Sequence, residues 1–302
     1  QHSMALNGYA LTEYQLPRLV MKPTGMIYHY TEATGLLGIV KSKRIWATHS
    51  SFLNDTTETK YLLTETARLL SSRIEKANES ERNILKSLGN LNAISRGRYE
   101  NFVLSFCRES DQLSQWRVYG QFGKGYALGF ELSELSPHPQ IANDIEVIYG
   151  FDLVQPCVND LIDIFVEHAN QNKANYRRFV NEFVSALRFL AIGCKHPKFA
   201  EENELRFVFS EYFGSIFSPE TESVVKHEIM YRQRGSEIVP YISPFLNFDD
   251  EMGKDYKLPL KSIIFGPGVE FEKNSMSVAN LLHDSGFEGV ELLASEIPFQ
   301  GQ

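Results

Sequence analysis

The sequence predicts an α+β fold, mixed or antiparallel sheets with inserted helices, and three observations carry that expectation. Strand-like segments come in clusters rather than in regular alternation with helices. Arg234-Gly235, between the extended runs His227 to Tyr231 and Glu237 to Tyr241, is a hairpin signal. Two stretches of helical apolar spacing, near 56–91 and 153–194, interrupt the strands. No repeat or low-complexity linker divides the 302 residues, so 6–302 read as one domain, and residues 1–5 read as a cloning remnant.

In chain order, Met26 to Thr31 (MIYHYT) is a short aromatic strand, followed by a helix over Glu32 to Ser42 with Leu36, Leu37 and Val40 at helical spacing. Ile45 to Thr48 reads as strand. Thr56 or Thr57 caps a helix running through Ala77, and a more polar helix covers Glu81 to Leu91. Phe102 to Cys107 is a buried-strand candidate, Asp111 to Tyr119 a short helix, and Gly125 to Leu132 and Ile145 to Tyr149 two further strands. Leu153 to Cys194 is helical by its apolar period. Strand returns at Glu204 to Phe209 and at Ile263 to Phe265, which Gly266-Pro267-Gly268 ends. A helix at Ser275 to His283 and a strand at Val290 to Leu293 close the chain.

The net charge of −8 disfavours broad non-specific binding to nucleic acid, which relies on neutralising phosphates. No apolar run approaches the roughly 20 residues of a spanning helix, and no signal-peptide pattern opens the chain, so a cytoplasmic protein without a membrane partner is expected. Cys107, Cys157 and Cys194 are odd in number and widely spaced, which fits a reducing compartment rather than disulfides or structural zinc. Nucleotide-binding, metalloprotease, hydrolase-elbow and calcium-loop motifs are absent. Gly120-Gln121-Phe122-Gly123-Lys124-Gly125 is glycine-rich and basic, but it lacks P-loop spacing and leads into a strand.

Two places remain where chemistry could sit. On the first strand Ile27, His29 and Thr31 share one face and Tyr28 and Tyr30 the other, so His29 is either a ligand-binding group or a hydrogen-bonded core histidine. In EENELRFVF, the alternation of Glu202, Glu204 and Arg206 on a strand puts all three on one side, with Leu205, Phe207 and Phe209 opposite. Repulsion between the carboxylates would raise the pKa of one, and Arg206 would hold Glu204 in place. The arrangement suits a carboxylate that stabilises a positive transition state, or else a salt-bridged edge strand. Ser105 is a lone hydroxyl in an apolar strand, and Trp116 and Tyr119 sit together on a short helix as wall or as core.

Taken in order, IYHYTE, FLND, SF, W-x-x-Y, G-x-x-x-x-F, K-x-x-x-F-x-x-E-x-E-x-R and I-x-x-G-P resemble a widespread bacterial domain of uncharacterised function, over about Ile27 to Gly268. Phe199 stands where that pattern usually has Trp, and Thr56 where Pro is common. The opening strand and helix are also similar to ADP-ribosyltransferases, including toxins that modify DNA. That similarity implies an ADP-ribosyltransferase-like fold with NAD as co-substrate and no metal. It implies catalytic Glu204 assisted by Glu202, and cofactor binding by His29, Tyr30, Thr31, Ser105, Tyr126 and Arg206. His29 would hold the ribose or diphosphate, Tyr30 or Tyr126 would stack on nicotinamide, and Ser105 would orient its ribose. The implied role is a toxin or phage-defence effector acting on a protein or nucleic-acid acceptor, with an antitoxin as a partner. An NAD glycohydrolase and a non-catalytic nucleotide-sensing or protein-interaction domain are the alternatives. A metal-dependent nuclease using Asp55, Glu202 and Glu204 is disfavoured by the lack of a compact ligand set.

Overall fold

The computed structural model describes residues 4–6, 9–11, 24–53, 58–88, 101–135, 142–171, 176–210, 228–244 and 258–298. Asn54-Asp55, the Thr56/Thr57 cap and His227 lie outside the described residues. Strands β1 (Met4–Leu6) and β2 (Tyr9–Leu11) form a small antiparallel pair of their own, so Met4 and Ala5, set aside in the sequence, take part in pairing.

Among the described residues the main sheet has ten strands. Its path runs β11 (Met230–Arg234), β12 (Glu237–Ile242), β4 (Ala47–His49), β5 (Asn101–Cys107), β3 (Met26–Thr31), β6 (Tyr126–Glu131), β13 (Leu260–Phe265) and β14 (Glu291–Ala294). Off this path, β10 (Glu204–Ser210) pairs with both β5 and β7 (Ala142–Glu146). Within this sheet all pairs are antiparallel except β13–β14. The chain is therefore α+β with a mixed, mostly antiparallel sheet.

Alternation assigns the two faces. Ile27, Phe102, Leu104, Phe106, Leu205, Phe207 and Phe209 are buried in one core, with Leu36, Ile39 and Val40 of α1 (Ala33–Ser42) and Val278 and Leu282 of α7 (Phe271–Asp284). On the opposite face, Tyr30 and Cys107 pack on Trp116 of α4 (Leu113–Val118), and Val103 and Val208 pack on Ile192. Ile192 ends α6 (Tyr176–Ile192), which with α2 (Glu58–Lys76), α3 (Glu79–Ser87) and α5 (Phe151–Gln171) buries a separate helical core. Burial at this scale, rather than helix propensity, holds such helices in place. No described helix is long and apolar enough to cross a membrane.

Three departures from the sequence expectations have identifiable causes, one local and two set by distant partners. The polar helix starts at Glu79 rather than Glu81 because the Asn78 side chain accepts a hydrogen bond from Glu81 N–H at 3.0 Å, an N-terminal cap. The strand expected over Ile145 to Tyr149 is two strands: Val147 N–H donates to Glu204 O, but Ile148 N–H donates to Gly193 O. The chain thus changes partner, and β8 (Ile148–Tyr149) pairs in parallel with β9 (Cys194–Lys195). For the same reason Cys194 leaves the helix and enters a strand.

The glycine-rich turn before β6 has a packing role. A Cβ at Gly125 would lie 2.3 Å from Thr31 O, and one at Gly266 would lie 2.4 Å from Gly123 O. Backbone meets backbone here, with Gly266 N–H and Gly268 N–H donating to Gly125 O and Gly123 O at 2.9 and 2.8 Å. The Gly-Pro-Gly segment after β13 is therefore docked on the earlier turn.

Candidate functional site

The sheet parts at β5. One edge of β5 pairs with β10 over its whole length, Asn101↔Ser210 to Cys107↔Glu204. On the other edge β4 pairs only at Val103 and Phe102, and β3 only at Cys107. Leu104 to Phe106 therefore face a gap with no strand in it. An unpaired carbonyl there would be costly. The His29 ring fills the need: Nδ1–H donates to Ser105 O at 3.0 Å. The gap opens into a cavity of about 660 Å³.

His29 is held neutral, because burial pushes its pKa down and Arg232 adds to that, against the Ser105 hydrogen bond. With the proton on Nδ1, Nε2 is an acceptor, and among the described residues it takes no hydrogen bond. His29 lines the cavity with Tyr30, Thr31 and Ser105. Tyr30 is tied down: its hydroxyl donates to Glu109 O at 2.8 Å and accepts from Gln112 N–H at 3.1 Å, and its ring meets Trp116 edge-on at 4.7 Å. Tyr126 does not line the cavity; it is buried in the main core against Phe265 at 5.1 Å. The stacking role expected of Tyr126 has no place there.

Glu202, Glu204 and Arg206 also line the cavity. They do not all alternate on one strand. Glu202 ends a 3-10 turn over Pro197–Glu202, Asn203 is left-handed at φ 41, and the strand starts only at Glu204. The two carboxylates converge instead on Lys195, whose Nζ is 2.5 Å from Glu202 Oε2 and 2.8 Å from Glu204 Oε2. Arg206 grips Glu204 in a fork, Nε to Oε1 and Nη2 to Oε2, both at 2.9 Å, and its Nη1 donates to Ile192 O at 2.6 Å. The Glu204 backbone N–H donates to Tyr149 Oη at 2.9 Å.

Two positive charges flank one buried carboxylate. Burial pushes the Glu204 carboxyl up, but Arg206 and Lys195 together outweigh it and hold it at about 2. Glu204 is thus a fixed negative charge at any physiological pH and carries no proton. Stability follows with a definite sign. A depressed carboxyl contributes its full stabilisation above the unfolded value, 4.5, and loses it as pH falls toward 2. Denaturant unfolding between pH 5 and pH 2 is expected to show a loss on the order of 3 kcal/mol from this group. That pH slope is expected to be absent from Glu204→Gln.

Cys107 and Cys194 are buried, and burial pushes both thiols up to about 12, so neither is a nucleophile at neutral pH. Among the described residues no group of His, Cys, Asp and Glu is arranged to hold a metal ion. Asp55, a member of the nuclease alternative, lies outside them. The sequence reading missed Lys195, although the lysine stands in the K-x-x-x-F-x-x-E-x-E-x-R pattern and its Nζ lies 5.8 Å over the Phe199 ring. It also missed Arg232 and Arg234, cavity-lining residues on alternate positions of β11.

Residues 115–207 match the family model of DUF2971, a protein of unknown function, consistent with the bacterial domain that the motif order resembles. The matched segment includes Trp116, the glycine-rich turn, Lys195 and the Glu202 to Arg206 run, and excludes His29, Ser105 and Arg232. No curated protein and no solved structure matches the chain.

Proposed function

We propose that the protein cleaves the nicotinamide–ribose bond of NAD and transfers ADP-ribose to a macromolecular acceptor. The observation that carries this reading is the parting of the sheet at Leu104 to Phe106, which puts neutral His29 and the Glu202–Glu204 pair on one cavity of about 660 Å³. That volume is in the range of cofactor sites. The order of the parts along the chain also supports it: a histidine on the first sheet strand, a serine on the strand that faces the gap, and a glutamate opening a later strand, as the similarity to ADP-ribosyltransferases implies.

The chemistry asks little proton transfer of the protein. When the C–N bond breaks, its electron pair leaves with nicotinamide, and positive charge develops on the ribose. Glu204, permanently ionised and locked by Arg206, is a preorganised charge of the required sign. His29 Nε2 accepts a hydroxyl hydrogen bond from the ribose, which fixes its orientation. The acceptor nucleophile then bonds to the ribose carbon and gives its proton to Glu202, the more exposed carboxylate at 14%. A toxin or phage-defence role is part of the same proposal.

Incubation with labelled NAD tests it. Release of nicotinamide with label on protein, DNA or RNA is the expected result. ADP-ribose without labelled polymer would make the enzyme a glycohydrolase, and intact NAD would leave a nucleotide-sensing domain.

A further inference from the structure

One end of the cavity carries two arginines, Arg232 and Arg234. Arg232 and Arg234 share a face of β11, two residues apart, hence roughly 6–7 Å along the strand. Arg234 is matched: its guanidinium bonds Glu237 at 2.9 Å and donates to Phe52 O at 2.8 Å. Arg232 is not. Its Nη2 donates to Thr48 Oγ1 at 2.9 Å, and no carboxylate of the described residues is within ion-pair distance. Its Nε is buried with no hydrogen-bond partner among the described residues. Rings position the guanidinium instead, Trp46 at 5.4 Å and Tyr241 at 5.9 Å, while Trp46 and Tyr241 themselves lie 4.4 Å apart.

A buried donor without an acceptor is costly unless a ligand supplies one. A guanidinium fork held beside aromatic rings matches a planar or tetrahedral oxyanion, and it is poorly suited to a cation or a neutral ligand. The second guanidinium beside it extends the positive surface past the reach of one carboxylate. Burial and the neighbouring Arg234 both lower the proton affinity of Arg232, as expected for two cations without enough counter-charge. Tyr241 and, less, Glu32 offset this in part.

We infer that Arg232, supported by Arg234, is a phosphate-binding subsite at the β11 end of the cavity, and that its ligand carries a diphosphate. The inference deepens the NAD reading, on which it rests for the identity of the ligand. It moves the diphosphate from His29 to β11 and leaves His29 to the ribose.

The test is calorimetric titration of the full chain with inorganic pyrophosphate and, separately, with adenosine, in wild type, Arg232→Gln and Arg232→Lys. Wild type is expected to bind pyrophosphate, more weakly as salt rises. Arg232→Gln is expected to weaken it by about tenfold or more, with Arg232→Lys in between, since lysine keeps the charge without the fork. Absence of pyrophosphate binding in wild type overturns the inference. So does Arg232→Gln, with a melting temperature matching wild type, binding pyrophosphate equally well. Pyrophosphate binding that follows Arg232 while NAD stays intact supports the subsite and removes the NAD reading. NAD cleavage with a KM unmoved by Arg232→Gln does the reverse.

Discussion

Glu204→Gln is expected to lower the free energy of unfolding by about 3–5 kcal/mol, because it removes one of the charges that balance two buried cations and breaks the fork to Arg206. The side chains of Lys195 and Arg206 are each 2% exposed, so water cannot replace the lost carboxylate. Glutamine keeps the shape but offers one carbonyl to a site where a fork and an ammonium expect two ionised oxygens. Adding Arg206→Met to Glu204→Gln leaves Lys195 with Glu202 and is expected to recover part of the loss. Urea unfolding of the three proteins measures this. A loss under about 1 kcal/mol for Glu204→Gln would mean that the cluster is solvated, contrary to the packing described. Lost activity in Glu204→Gln is therefore ambiguous between chemistry and folding. Glu204→Asp, which keeps the charge and withdraws it by one methylene, separates the two.

Trp116→Ala is the second large effect, at about 3–5 kcal/mol. Trp116 is fully buried and meets Tyr30 edge-on, and its indole N–H donates to Asp111 Oδ1 at 2.6 Å. Asp111 in turn accepts from the Ser295 hydroxyl and the Glu296 N–H, both at 2.7 Å, tying down the chain that follows β14. Losing the indole opens a void behind β3 and removes one donor from Asp111. Thermal unfolding is expected to shift down by many degrees, and exchange of the Glu296 amide is expected to quicken. A near-wild-type melting temperature would show that the surroundings collapse into the void. Trp116 is a packing residue, while its neighbour Tyr119 lines the cavity, so the pair does not form one aromatic wall.

What was legible in the sequence followed from period. Met26–Thr31 stands as read, with Ile27 buried on one face and Tyr30 on the other. The opposed faces of Leu205, Phe207 and Phe209 against Glu204 and Arg206 follow from the same period of two. The pieces that depend on distant partners were not legible. The two-residue strands β8 and β9 exist only because Ile148 and Gly193 meet, and nothing local marks them. Lys195 reads as an ordinary lysine until the chain returns to bring both carboxylates to it. The depressed Glu204 pKa rests on Arg206, which the spacing already set beside it, and on that lysine, which the spacing did not show. The cavity arises from incomplete pairing along one edge of β5, a property of three strands together. Arg232 and Arg234 were readable as an alternating pair, but their place on the cavity was not.

The central claim is that NAD is cleaved at the gap in the sheet beside Glu204. Its most direct measurement is the rate of nicotinamide release from NAD by wild type and by Glu204→Asp with matched melting temperature. The predicted result is release by wild type and a drop of about 100-fold in the variant, since a displacement of about 1 Å at the reacting centre costs that much. Equal rates from the two proteins, or intact NAD with wild type, would contradict it.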